Sequence, residues 1–132
     1  MPLADELPAV EQSEDCENRA KFVNDVTIPD GTEVRAGEML TKTWTLENYG
    51  TCSWSENYKI VWADENYDND QKLFDIGVNL APGEQGEISV TFPAQGEGKT
   101  HISFLLADTE GNTFGLGERG IGDLYIEYRI SE

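Results

Sequence analysis

Basic residues are scarce in this chain. Nine lysines and arginines face 26 aspartates and glutamates, a formal charge of −17 over 132 residues. A surface so negative repels a phosphate backbone and an anionic bilayer, which argues against a nucleic-acid partner and against direct membrane insertion. No apolar run approaches the ~20 residues of a membrane-spanning helix. Histidine occurs once, at His101, and cysteine twice, at Cys16 and Cys52. Two cysteines and one distant histidine do not make a zinc site. A lone imidazole inside a strand pattern offers no Ser–His–Asp set, so we expect no enzyme, no catalytic residue and no cofactor. No window sustains a 3.6-residue period, which sets helical and βαβ architectures aside.

What is present is a series of short β-branched and aromatic runs between Gly, Pro, Asn and Asp. The first is Phe22-Val23 with Val26-Thr27-Ile28, closed by Pro29-Asp30-Gly31. Met39–Asn48 follows, with Leu40, Lys42, Trp44 and Leu46 on one face and threonines on the other. Further strands are read at 58–62, 73–78, 87–92, 100–107 and 124–130. Turn signals every 8–15 residues separate them, including Ala81-Pro82-Gly83. Seven strands with this spacing predict an all-β, immunoglobulin-like antiparallel sandwich, with a small barrel as the alternative. One domain over residues 20–132 follows from the length. Residues 1–19 hold six acids and one base and read as an acidic flexible linker.

Cys16 and Cys52 are the only possible pair. Bridged, they stabilise by about 3–4 kcal/mol in the chain-entropy model and imply an oxidising compartment. Unpaired, they are two thiols of a cytosolic protein. We expect the bridge, and with it an extracellular or cell-surface setting. The opening Met1-Pro2-Leu3-Ala4-Asp5 has neither the basic nor the apolar segment of a secretory leader. That setting is therefore expected for part of a longer secreted or anchored precursor.

The stretch Lys42-Thr43-Trp44-Thr45-Leu46-Glu47-Asn48-Tyr49-Gly50-Thr51-Cys52-Ser53-Trp54 resembles the four-tryptophan (FW) domain. That domain is the central immunoglobulin-like module of the neighbour-of-BRCA autophagy receptors and is also common in bacterial surface proteins. Ala36-Gly37 and Ala81-Pro82-Gly83 look like its two Pro-Gly turns, and Phe114-Gly115 like its late Phe-Gly. The similarity covers about residues 20–130. Trp44, Trp54 and Trp62 take the first three tryptophan positions, and Phe104 takes the fourth. Phenylalanine keeps the apolar bulk there but loses the indole donor. Trp44, Trp62 and Phe104 are expected in the core. The resemblance implies a bacterial surface or secreted version of the family, and a role in recognising a protein partner.

Three candidate sites come from the residues themselves. Tyr49, Trp54, Tyr58, Tyr67 and Phe114 fall in or beside loops, where aromatics on a rigid frame serve recognition. They favour a protein partner, bound by a monomeric module, with the loops at 48–58 and 108–122 as contact regions. The same aromatics suit a carbohydrate-binding module, and a passive spacer domain remains the third possibility. Asp64, Asn66, Asp68, Asp70 and Asp75 echo the spacing of a calcium loop, but Asn69 stands where that loop needs glycine. Gly115-Leu116-Gly117-Glu118-Arg119-Gly120 has the look of a dinucleotide loop without a helix to follow it.

Overall fold

The computed structural model describes residues 16–117, 119–120 and 122–131. Most of the expected 1–19 linker lies outside them. The described residues form nine strands: β1 Ala20–Asp25, β2 Thr32–Arg35, β3 Met39–Asn48, β4 Lys59–Trp62, β5 Leu73–Asp75, β6 Gln85–Pro93, β7 Lys99–Ala107, β8 Thr113–Phe114 and β9 Leu124–Ser131. One sheet runs β1-β3-β6. The other runs β2-β9-β7-β4-β5, with β8 added to β7. All pairings are antiparallel except β2 with β9. The fold is an immunoglobulin-like sandwich.

Alternation decides what lies between the sheets. In β3, Leu40, Trp44 and Leu46 point inward. In β6 it is Ile88, Val90 and Phe92, in β7 Ile102, Phe104 and Leu106, and in β9 Leu124, Ile126 and Tyr128. An aromatic group sits at the centre. Phe104 meets Trp44 edge-on at 5.6 Å and Trp62 at 5.3 Å between ring centroids, and Trp62 meets Phe92 at 5.2 Å. T-shaped contacts of this kind add to the stabilisation from burial alone. The indoles are also satisfied: Trp44 Nε1 donates to Tyr125 O at 3.0 Å and Trp62 Nε1 to Tyr67 O at 2.9 Å.

The first expected strand is split. β1 stops at Asp25, and residues 26–31 cross to the second sheet, where β2 begins. Ile28 takes a φ of 50°, a region that costs a β-branched residue energy. The crossing is held by Lys42. This lysine lies on the inward face of β3 and is fully buried. Its Nζ donates to Asp25 Oδ1 at 2.7 Å and to the carbonyls of Thr27 and Ile28, both at 2.8 Å. Those three partners use all three ammonium donors. A buried charge needs this degree of satisfaction.

Candidate functional site

One end of the sandwich gathers both loops singled out by the sequence. Asn48, buried at the end of β3, organises the first. Its Oδ1 accepts from Gly50 N at 3.1 Å, and its Nδ2 donates to Cys52 O and Leu80 O at 2.8 and 2.9 Å. Gly50 is required because another backbone lies on it: a Cβ there would stand 2.1 Å from Glu17 O. That backbone is the segment 16–19. Thr51 N and Cys52 N both donate to Glu17 O, and Tyr49 N donates to Arg19 O. A disulfide between Cys16 and Cys52, with Cα atoms 5.0 Å apart, closes the contact. Residues 16–19 are thus bound into the domain.

The second loop packs beside the first. Ala20 N donates to Gly115 O, and Gly117 N to Ala20 O. The glycine run 115–120 serves this fold: Gly120 N donates to Gly117 O, and Gly115 N to Gly120 O. A Cβ on Gly115 would meet Gly122 O at 2.1 Å. The glycines permit close backbone approach in a tight loop, with no helix following.

Beneath the loops lies a second aromatic group. Trp54 stacks on Tyr58 at 6.4 Å, and both touch Phe114, at 5.7 and 6.0 Å. All three are buried. Tyr58 donates to Asn18 Oδ1 at 3.1 Å. Burial, with Asp108 nearby, pushes its hydroxyl above the usual tyrosine pKa. Trp54 Nε1 is buried without a hydrogen-bond partner among the described residues. Trp54, Tyr58 and Phe114, read from the sequence as partner-binding candidates in or beside loops, are thus packed inside. Backbone bonds between Trp54 and Leu80 draw the loop onto the sheet, and the three rings bury one another. Tyr49 remains exposed, and Tyr67 is half-buried.

Above this group is an open cleft of about 510 Å³. Glu17, Asn18 and Arg19 form one wall, and Asn112, Thr113 and Arg119 the other. Arg19 pairs with Glu17 at 3.0 Å. Two of the chain's nine basic residues therefore border one cleft in a strongly acidic protein.

The calcium-like spacing does not assemble. Asp64 accepts from Asn66 N and Ser103 N, Asp68 pairs with Lys72, and Asp75 pairs with Lys59. Asn69 is buried and bonded to Gln71 and Gln95. Among the described residues, no group of three or more acidic, histidine or cysteine side chains is placed to hold a metal. His101 is exposed; its ring stacks on Tyr125 at 4.6 Å, and Nδ1 lies 3.3 Å from Glu127 Oε2.

The family model described as the Ig-like domain from next to BRCA1 gene matches residues 27–119. Protein JOKA2 of Solanum tuberosum is 27% identical over 100 residues, covering 73% of this chain and 12% of that protein. The protein NBR1 homolog of Arabidopsis thaliana is 29% identical over 104 residues, covering 73% of this chain and 14% of that protein. The chain thus spans a small part of the length of these curated relatives. Both are plant proteins, and the expectation of a bacterial surface version gains nothing from them. No helix among the described residues is long and apolar enough to cross a membrane. With the match across most of a sandwich of this topology, the chain belongs to the family of Ig-like domains from next to BRCA1 gene.

Proposed function

We propose that this domain is a non-catalytic interaction module that recognises a protein partner through its disulfide-tied end. The observation that carries the reading is the convergence of segment 16–19 with the loops at 49–58 and 108–122 around the arginine-bordered cleft. Hydrogen bonds, the disulfide and the Trp54–Tyr58–Phe114 group hold these loops in one shape, so little ordering entropy is left to lose on binding. The family resemblance, which implies partner recruitment, supports the same reading. The charge of −17 favours fast encounter with a basic partner. The disulfide supports placement in an oxidising compartment, as part of a longer secreted or surface chain. A carbohydrate platform has less support, because the rings that would stack sugars are packed against each other.

The test is a pull-down from the native source with wild-type protein and a Tyr49→Ala/Arg119→Glu variant. Both residues are exposed, so the variant should fold. A partner held by wild type and lost by the variant is the expected outcome. Equal retention by both would remove this end from the proposal. A clear glycan-array hit with no protein retained would favour the carbohydrate reading.

A further inference from the structure

A second surface feature lies away from the loop end, on the flank where β1 and β9 border the gap between the sheets. There Phe22, Asp25, Trp44 and Tyr125 line a mainly apolar groove of about 230 Å³. Phe22 and Tyr125 are 44% and 39% exposed, which is unusual for rings beside a sandwich core. Trp44 lies beneath it, fully buried and fixed by its bond to Tyr125 O. The edge of β9 is already capped here. Tyr125 O is taken by that indole, and Glu127 O accepts from Gly31 N at 3.2 Å. On its β9 side the groove therefore offers no free edge to another strand, and its apolar hollow suits a side chain.

The charge around it is one-sided. Asp25 is matched by Lys42, which points away into the core. Asp30 and Glu127 are not so matched. Asp30 Oδ2 accepts from the Tyr125 hydroxyl at 3.4 Å, and Glu127 Oε2 lies 3.3 Å from His101 Nδ1. The Tyr125 hydroxyl is held above its usual pKa, first by the charge of Asp30, then by desolvation and by Glu127 and Asp25. The negative potential thus reaches the rim of the groove.

We propose that this groove receives an arginine side chain of a partner protein. Its three-carbon stem lies against Phe22. Its planar guanidinium takes the Tyr125 face that His101 does not cover and pairs with Asp30 and Glu127. Arginine fits better than lysine because the site offers aromatic faces together with carboxylates, which a planar fork uses and a compact ammonium does not. The groove is separate from the cleft at the loop end, so either site stands without the other.

The experiment is a titration of the ¹⁵N-labelled protein with end-blocked Gly-Arg-Gly, Gly-Lys-Gly and Gly-norleucine-Gly peptides, followed by chemical shifts. The arginine peptide should shift the Trp44 Nε1–H and the amides of Phe22 and Tyr125 together. The lysine peptide should bind several-fold more weakly, and the norleucine peptide should leave these signals in place. Asp30→Asn, Glu127→Gln and Phe22→Ala alter exposed or half-exposed groups. Each should weaken the arginine peptide by roughly two- to fivefold while the rest of the spectrum is unchanged. Shifts spread over the acidic surface without focus on Trp44 Nε1–H would overturn the proposal. So would equal binding of the norleucine peptide, or an Asp30→Asn variant that binds as wild type does. None of these results bears on Tyr49 or Arg119, so failure here leaves the loop-end proposal intact.

Discussion

Lys42 offers the sharpest test of how the sandwich is held. It is fully buried, and its ammonium is the shared partner of Asp25, Thr27 O and Ile28 O. Lys42→Met keeps the length and apolar stem of the side chain and removes only the three donors. Two carbonyls lose an acceptor's partner, at about 1–3 kcal/mol for each that stays dry. Asp25 keeps 28% side-chain exposure, so water recovers part of its loss. The expected destabilisation is about 3–5 kcal/mol, the range for breaking a buried pair by removing one member. Asp25→Asn leaves an oxygen for Nζ and both carbonyl bonds, and should cost about 1–2 kcal/mol. Urea titration measures both. Hydrogen exchange should show the Lys42→Met loss concentrated in residues 26–35, because the lysine clamps the crossing and the start of β2. A Lys42→Met variant within ~0.5 kcal/mol of wild type, the range of an ordinary surface change, would refute the clamp.

Three further outcomes are expected. Trp44→Phe should cost more than Trp54→Phe in a denaturant titration: both indoles are buried, but only Trp44 Nε1 has a recorded partner to lose. The difference should be about 1 kcal/mol, one hydrogen bond. A Cys16→Ser/Cys52→Ser variant should lose about 3–4 kcal/mol, with exchange rising first in segments 16–20 and 49–52, and intact mass after non-reducing alkylation should show no free thiol in wild type. Burial raises the hydroxyl pKa of Tyr58 and Tyr128 above the usual tyrosine value of about 10, so the folded state holds these protons more tightly than the unfolded chain does. The stability they contribute is complete below pH 10 and is lost as pH rises through the raised values. Tyr58→Phe should flatten part of that alkaline decline in thermal unfolding.

The reach of the sequence is clearest in β3 and shortest in the loops. Alternation alone placed Trp44 and Leu46 inside, but the contacts of Phe104 with Trp44 and of Phe92 with Trp62 join different strands and no local pattern reports them. The same alternation put Lys42 on the inward face, but its burial depends on Asp25, Thr27 and Ile28, which lie 14–17 residues away. No local pattern reports that pairing. β2 and β8 escaped because each is short and carries one buried side chain, Val34 or Phe114, so neither shows a period. The residues 26–28 read as strand because they are β-branched, yet Lys42 and the bonds to Thr43 O turn them into a crossing. Loop position alone did not tell whether Trp54, Tyr58 and Phe114 face solvent or the interior. Asn48 was legible as a turn former, but its two bonds across to Cys52 and Leu80 are what fold the loop over and bury those rings.

Burying those rings changes what the acidic surface is for. With the loop aromatics committed to packing, the proposed recognition would fall to charge and to the exposed rings. Arg19, Lys42, Lys59 and Lys72 are engaged in ion pairs, while Lys21, Arg35, Lys99, Arg119 and Arg129 are exposed. Of these exposed bases, Arg119 borders the cleft. The molecule therefore shows two unlike faces: an end where arginine meets polar loop edges, and a flank where aromatic rings meet Asp30 and Glu127. A partner using both needs an anionic group for the first and a cationic one for the second. Such opposite demands fix orientation, because a partner docked in reverse brings like charges together at both ends. Salt should then weaken binding of charged probes at either face, since both are open to solvent within a screening length of ~8 Å at physiological ionic strength.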